Sequence, residues 1–147
     1  MLEKTFFMVK PDGLARNLEN EIFSRIENAG LKIVRREVVF MTLDLAADLY
    51  SPHLGKPFYE GLIKFITSGP VMCSVLEGED AIKKVRGLMG ATDPRQAVPG
   101  TIRGDLKEQN IFTSENSMKN LVHGSDSPEA AEREIKIFFG EGIKYEN

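Results

Sequence analysis

The residues of this chain best placed for chemistry lie near its C-terminal end. His123 follows the apolar pair Leu121-Val122 and precedes Gly124-Ser125-Asp126-Ser127-Pro128. The apolar pair reads as the end of a short buried strand, and Ser127-Pro128 as the start of a helix. His123 is therefore expected at a strand-to-helix turn, where a scaffold can hold an imidazole rigidly. Taken alone, a loop histidine is more simply a solvated side chain. The helix that follows changes the balance. Ala131, Ile135 and Phe138 recur at i, i+4 and i+7 and mark its buried stripe, and Glu134 falls at i+3 on that stripe. A carboxylate facing a core is costly without a partner. Two readings stand: Glu134 orients the imidazole of His123, or it lies at the stripe's edge and reaches water. The other charges of this helix pair off at i, i+4, Glu129 with Arg133 and Glu132 with Lys136.

Cations and hydroxyls stand at the ends of other elements: Lys10, Arg86, Thr92 and Arg103. Each alone is an ordinary surface residue. Gathered around a rigid histidine they would clamp a phosphoryl group, fixed positive charge facing its oxygens and histidine serving as nucleophile. Spacing does not show that they converge. Other candidates fail. Gly55-Lys56-Pro57 lacks the glycine spacing of a phosphate loop. His53, beside Pro52 in a polar loop, reads as solvated. Two distant histidines and one cysteine make no zinc site. Cys73, inside Val71-Met72-Cys73-Ser74-Val75-Leu76, reads as buried filler.

These residues must be positioned by one domain, the simplest reading of 147 residues. The net charge of −3 and the scattered Lys and Arg disfavour a nucleic-acid surface. No window has the apolar length of a membrane helix, no secretory leader is evident at the N-terminus, and the single cysteine excludes an intrachain disulfide, so a cytoplasmic setting is expected.

The apolar run over residues 5–9 reads as a central strand with Lys10 at its end. A helix is expected over residues 18–29, capped by Asn17 and stopped by Gly30, then a strand over 31–41. Two helices follow, one from a Thr42 or Asp44 cap to Tyr50 and one over 58–67, then a strand over 70–76 and a helix over 80–89. Residues 90–119 read as a long connection without period, its later part a polar surface excursion. The fourth strand carries His123, and the last helix spans about 128–139. This order gives an α+β sandwich with a βαββαβ core and an added helical pair.

Asn120-x-x-His123-Gly124-Ser125-Asp126 resembles the active-site signature of the nucleoside diphosphate kinases. Further blocks match that family in the same order: Thr5-Phe6 through Lys10-Pro11-Asp12-Gly13, Lys56-Pro57-Phe58 through Gly61-Leu62, Ser68-Gly69-Pro70, Arg86-x-x-x-Gly90-x-Thr92-x-Pro94, and Pro99-Gly100-Thr101-Ile102-Arg103-Gly104-Asp105. The resemblance covers nearly the whole chain. It implies a single domain over 1–147, a ferredoxin-like sandwich with a four-stranded antiparallel sheet. It implies transfer of the γ-phosphate of a nucleoside triphosphate, typically ATP, to a nucleoside diphosphate. The route is ping-pong through a phosphohistidine, with Mg²⁺ held through the nucleotide phosphates rather than by the protein.

By resemblance His123 is the nucleophile and Glu134 the acid that orients it. Lys10, Arg86, Thr92, Arg103 and Asn120 contact phosphates or ribose, and Tyr50 sits near Lys10. Phe58 stacks on the base, which suits broad base specificity, while Gly124 and Ser125 shape the turn. A homo-oligomer is implied, a hexamer before a tetramer or dimer. The chain departs from the family pattern at Asn17, at Glu19-Asn20 and at Ala91. It also departs over residues 106–119, about seven residues longer than expected and read as a surface insertion. The set Lys10, Arg86, Thr92, Arg103, Asn120 and His123 favours an enzyme over a nucleotide-binding module without turnover.

Overall fold

A computed structural model describes residues 2–140. Its strands are β1 (Leu2–Val9), β2 (Lys32–Val39), β3 (Val71–Glu79) and β4 (Val122–Gly124). They form one sheet in the order β2-β3-β1-β4, and every pairing is antiparallel. This is the ferredoxin-like arrangement that the sequence implied. The central position of β1 follows from its composition. Phe6, Phe7, Met8 and Val9 are all fully buried, because alternate residues serve opposite faces of the sheet.

Phe7 and Val9 join a core with Ile22, Phe23 and Ile26 of α2 (Glu19–Asn28) and Ala81, Val85 and Met89 of α5 (Ala81–Met89). Phe6 and Met8 join a second core with Ala46 and Leu49 of α3 (Leu43–Leu49), Ile66 of α4 (Tyr59–Ile66), and Ile135 and Phe139 of α7 (Pro128–Phe139). Fully burying such a phenylalanine is worth roughly 1.5–3 kcal/mol. Two aromatic contacts fix the faces: Phe7 meets Phe23 edge-on at 5.8 Å, and Phe6 stacks on Phe138 at 5.0 Å.

The added pair is α3 and α4. Thr42 caps α3, its hydroxyl accepting from the Leu45 N–H, and Ser127 caps α7 in the same way through the Ala130 N–H.

Local chemistry corrects several expectations. The break after β1 is itself helical, α1 (Pro11–Ala15), with proline at its first turn. Asn17 does not cap α2; it takes a left-handed φ of 58°, and Leu18 occupies the cap position. Two short elements lie in the long connection, a 3-10 turn (Pro94–Gln96) and α6 (Ile102–Leu106). Five residues are too few to show a period, but Thr101 caps α6 by accepting from the Gly104 N–H. His123 lies inside β4, opposite Met8, so the expectation that the fourth strand carries it holds and the turn begins after Gly124.

Residues 106–118 are not a wholly polar excursion either, since Ile111 and Ser117 are buried. The segment closes as a small hairpin. The Lys119 N–H donates to Ile111 O and the Thr113 N–H to Ser117 O, and Asn116 supplies the left-handed corner. Its tip lies against α4, where a Cβ on Gly61 would come within 3.1 Å of Glu115 O.

Candidate active site

The site forms at the sheet edge, where β4 pairs with β1 and α7 packs against β1. Its first cluster is His123, Glu134 and Ser125. Glu134 is buried on α7, so of its two readings the core-facing one holds. Its Oε1 lies 2.8 Å from His123 Nε2 and accepts from Ser125 Oγ at 2.7 Å. A carboxylate accepts, so Nε2 is the donor in this contact and Nδ1 is the ring nitrogen that Glu134 leaves unengaged. Phe6 and Tyr50 confine the ring, each with a centroid separation of 5.8 Å.

Arg133, matched by spacing to Glu129, turns instead to Asp48 O at 2.8 Å and to Glu134 Oε2 at 3.4 Å. Lys136 meets Glu132 at 3.5 Å, as the spacing suggested. Ser125 was read only as part of a turn. Its place two residues beyond His123, on the same face of an extended chain, was the signal for its contact with Glu134.

The second cluster is cationic. Lys10, at the end of β1, donates from Nζ to Asn120 Oδ1 at 2.8 Å, and Asn120 Nδ2 donates to Thr92 O at 3.0 Å. Arg103, on α6, spends every guanidinium nitrogen on backbone. Nε donates to Asn120 O at 2.9 Å, Nη1 to Gly90 O at 3.2 Å and Nη2 to Val122 O at 2.7 Å. Arg86, exposed on α5, donates to Gly124 O at 3.3 Å. Gly124 lets α5 come this close, since a Cβ there would meet Met89 Sδ at 2.6 Å.

These cations lie near enough to oppose one another. Burial, with the charge of Arg103 behind it, pulls the Lys10 ammonium down to about 8 against a partial lift from Asp12. Burial and Arg86 pull Arg103 down to about 10. Crowded positive charge of this kind awaits an anion.

The remaining expected residues form the rim. Tyr50 is buried with its ring against His123, and burial raises its phenol far above the usual range, with the charge of Glu134 adding to the shift. It is therefore neutral. Phe58 is 51% exposed, with Lys56 Nζ 5.8 Å from its ring centroid. His53, expected to be simply solvated, is half-buried between Phe58 at 5.3 Å and Tyr50 at 6.2 Å. Burial, then Lys56 and His123, lower its pKa. Its loop sequence held no signal for this contact. Thr92 is exposed and meets the cluster through its carbonyl. Cys73 is buried filler, its thiol pushed up to about 12 by burial.

On an antiparallel α+β sandwich, a carboxylate-held histidine beside crowded cations is a set of groups suited to phosphoryl transfer. The family model described as nucleoside diphosphate kinase matches residues 3–143. A nucleoside diphosphate kinase of Saccharolobus islandicus is 47% identical over 139 residues, 95% of this chain and 96% of that protein. Among solved structures, a halophilic nucleoside diphosphate kinase from Halobacterium salinarum in complex with CDP superposes with a TM-score of 0.88. It is 45% identical, and the match covers 100% of this chain and 95% of that one. A transition-state mimic of the Borrelia burgdorferi enzyme with bound vanadate and ADP gives a TM-score of 0.90. It is 37% identical, and the match covers 99% of this chain and 93% of that one. The chain belongs to the nucleoside diphosphate kinase family and is a nucleotide-binding phosphotransferase.

Proposed function

We propose that the chain moves the γ-phosphate of a nucleoside triphosphate to a nucleoside diphosphate in two half-reactions through His123. The observation that carries this reading is the Nε2 contact with Glu134 at 2.8 Å. It leaves the Nδ1 lone pair as the nucleophile while Lys10, Arg86 and Arg103 crowd the same site. In the first half-reaction an Nδ1–P bond forms and the bridging bond between the γ-phosphorus and the β-phosphate oxygen breaks. The diphosphate leaves with the electron pair. The imidazole becomes positive as it takes the phosphoryl group, and Glu134, retaining its hydrogen bond, stabilises that charge. In the second half-reaction the terminal oxygen of an incoming diphosphate attacks the phosphohistidine and imidazole leaves. Transfer of this kind needs positioning and charge neutralisation above all.

Lys10, Arg86, Arg103, Thr92 and Asn120 hold phosphates or ribose. Phe58 offers a ring face that every base can stack on, which supports broad base specificity. The donors fit Mg²⁺ that arrives on the nucleotide. Glu134 Oε1 serves His123 and Ser125, and its Oε2 faces Arg133. Among the described residues no group of three or more His, Cys, Asp and Glu could hold a metal. Bound with the nucleotide, Mg²⁺ supplies neutralisation of phosphate charge. The chain works as a homo-oligomer, a hexamer before a tetramer or dimer. Val38, Phe40 and Leu43, apolar and exposed along the edge of β2 and beyond it, support association. The lone buried thiol fits a reducing cytoplasm.

Incubation with Mg-ATP tests the reading. The wild type should gain an acid-labile phosphate and pass it to ADP, GDP, CDP or UDP, and His123→Ala should stay unlabelled. An unlabelled wild type, or equal labelling of His123→Ala, overturns it.

A further inference from the structure

Leu121 stands one residue after Asn120 and two before His123, and its φ is +72°. That left-handed backbone is disfavoured for leucine because Cβ crowds the carbonyl oxygen. It persists only if the surroundings hold it. Here they do, through both peptide groups of Leu121 and from one turn. Leu121 O accepts from the Lys10 N–H at 2.8 Å, and the Leu121 N–H donates to Asp12 Oδ2 at 3.0 Å. Gly13 makes the close approach possible: a Cβ there would lie 2.6 Å from Val9 Cγ1 and 3.4 Å from Leu121 O. Arg103 takes the carbonyls on either side, those of Asn120 and Val122. Asp12 thus holds the N–H at the kink, and it is itself buried, with Oδ1 accepting nothing among the described residues. A carboxylate kept in such a place at the expense of its hydration calls for a function.

We infer that Asp12 is a positioning residue for phosphoryl transfer: by accepting from the N–H of Leu121 it holds the strained backbone that sets Asn120 against Lys10 and His123 against Glu134. It has a second, electrostatic effect. The groups bearing on Lys10 are Arg103 from α6, Asp12 from α1 and the Asn120 amide before β4, with His53 sensing the charge from the 3-10 turn Ser51–His53. Of these, Asp12 is the one whose charge favours the ammonium form. The inference rests on His123 as the phosphoryl acceptor.

The experiment compares wild type, Asp12→Ala and Asp12→Asn by His123 labelling with Mg-ATP, by the pH profile of kcat/KM and by exchange of the Leu121 amide. Asp12→Ala should label roughly 10- to 100-fold more slowly and exchange that amide faster. Asp12→Asn, whose amide oxygen can still accept from Leu121, should regain most of the rate. It should also move the alkaline limb to lower pH, because the lost negative charge lets Lys10 deprotonate earlier. A folded Asp12→Ala labelling at the wild-type rate, or an Asp12→Asn no better than Asp12→Ala, overturns the inference. If Asp12→Ala fails to fold, the limb of Asp12→Asn decides: a shift supports the inference and an unmoved limb overturns it. If the wild type itself does not label, the phosphohistidine reading has failed. Leu121 exchange then tests the hold of Asp12 on the kink by itself, a rate accelerated in Asp12→Ala and not in Asp12→Asn supporting it and an unchanged rate in Asp12→Ala overturning it.

Discussion

The floor of the site and its rim are built in opposite ways. On the floor, Lys10, Arg103, Asn120 and Glu134 are each no more than 6% exposed, and each is held by hydrogen bonds that exist before any ligand arrives. On the rim, Phe58, Arg86 and Thr92 are exposed, and among the described residues the Phe58 side chain meets the His53 ring and the Lys56 ammonium. In the proposed reaction the floor, which carries the reacting nitrogen of His123, would face the phosphates, the part common to all substrates. Fixing it beforehand avoids reorganisation during transfer. In the same proposal the rim would face the part that varies, and a lightly held aromatic face suits stacking by any base. Substitutions on the floor should therefore change the rate of transfer, and those on the rim should change nucleotide capture.

The largest effect should come from Glu134→Ala. Without the carboxylate, His123 is free to change tautomer and loses stabilisation of its developing charge. Phosphorylation by Mg-ATP should slow about 100- to 1,000-fold, with the dissociation constant for ADP little altered. Rapid-quench labelling alongside calorimetry reads both quantities. Labelling at the wild-type rate would remove Glu134 from the floor.

Lys10 gives the next largest effect, through pH. With its ammonium pulled down to about 8, the free enzyme should lose phosphate capture above that pH, and kcat/KM should show an alkaline limb there. Bound phosphate favours the charged form, so the limb in kcat should lie higher. Stability runs the other way. Between about 8 and 10.5 the unfolded chain keeps this proton and the folded chain has released it. More protons are bound unfolded, so this group raises stability as pH rises through that window. Urea melts of wild type and Lys10→Met across it should separate the contribution from other groups, and a flat difference would show that Lys10 is not held as a floor residue.

The same division explains what the sequence made legible. The sheet and its layers were readable because β1 is apolar without interruption and α2, α5 and α7 have clear helical periods. Glu134 was readable because a carboxylate on an apolar stripe contradicts its neighbours. Resemblance to the family drew Lys10, Arg86, Arg103 and Asn120 together on paper, but their bonds run mostly to backbone carbonyls, which no side-chain pattern encodes. α1 and α6 were missed because five residues do not make a period. The kink at Leu121 was illegible for a related reason: leucine has no preference for a left-handed φ, so the cause lies in Asp12 and Lys10, more than 100 residues away. The hairpin within residues 106–119 misled because its few buried residues, Ile111 and Ser117, are isolated among polar ones.

Phe58 gives the smallest effect and the sharpest test of the division. Base stacking on an aromatic ring is worth about 1–3 kcal/mol. The face of Phe58 is half open to solvent, which argues for the lower end. Phe58→Ala should raise KM for nucleoside diphosphates about 10-fold, leave kcat nearly as it was, and do so for ADP, GDP, CDP and UDP alike. Phe58→Tyr, which keeps the ring, should restore KM. Because α4 begins only at Tyr59 and Phe58 lies outside both cores, thermal stability should hardly change. Steady-state kinetics with the four acceptors decides the matter. A fall in kcat comparable to that of Glu134→Ala would mean that stacking helps to align the phosphates with His123, and the rim and floor would then be one device.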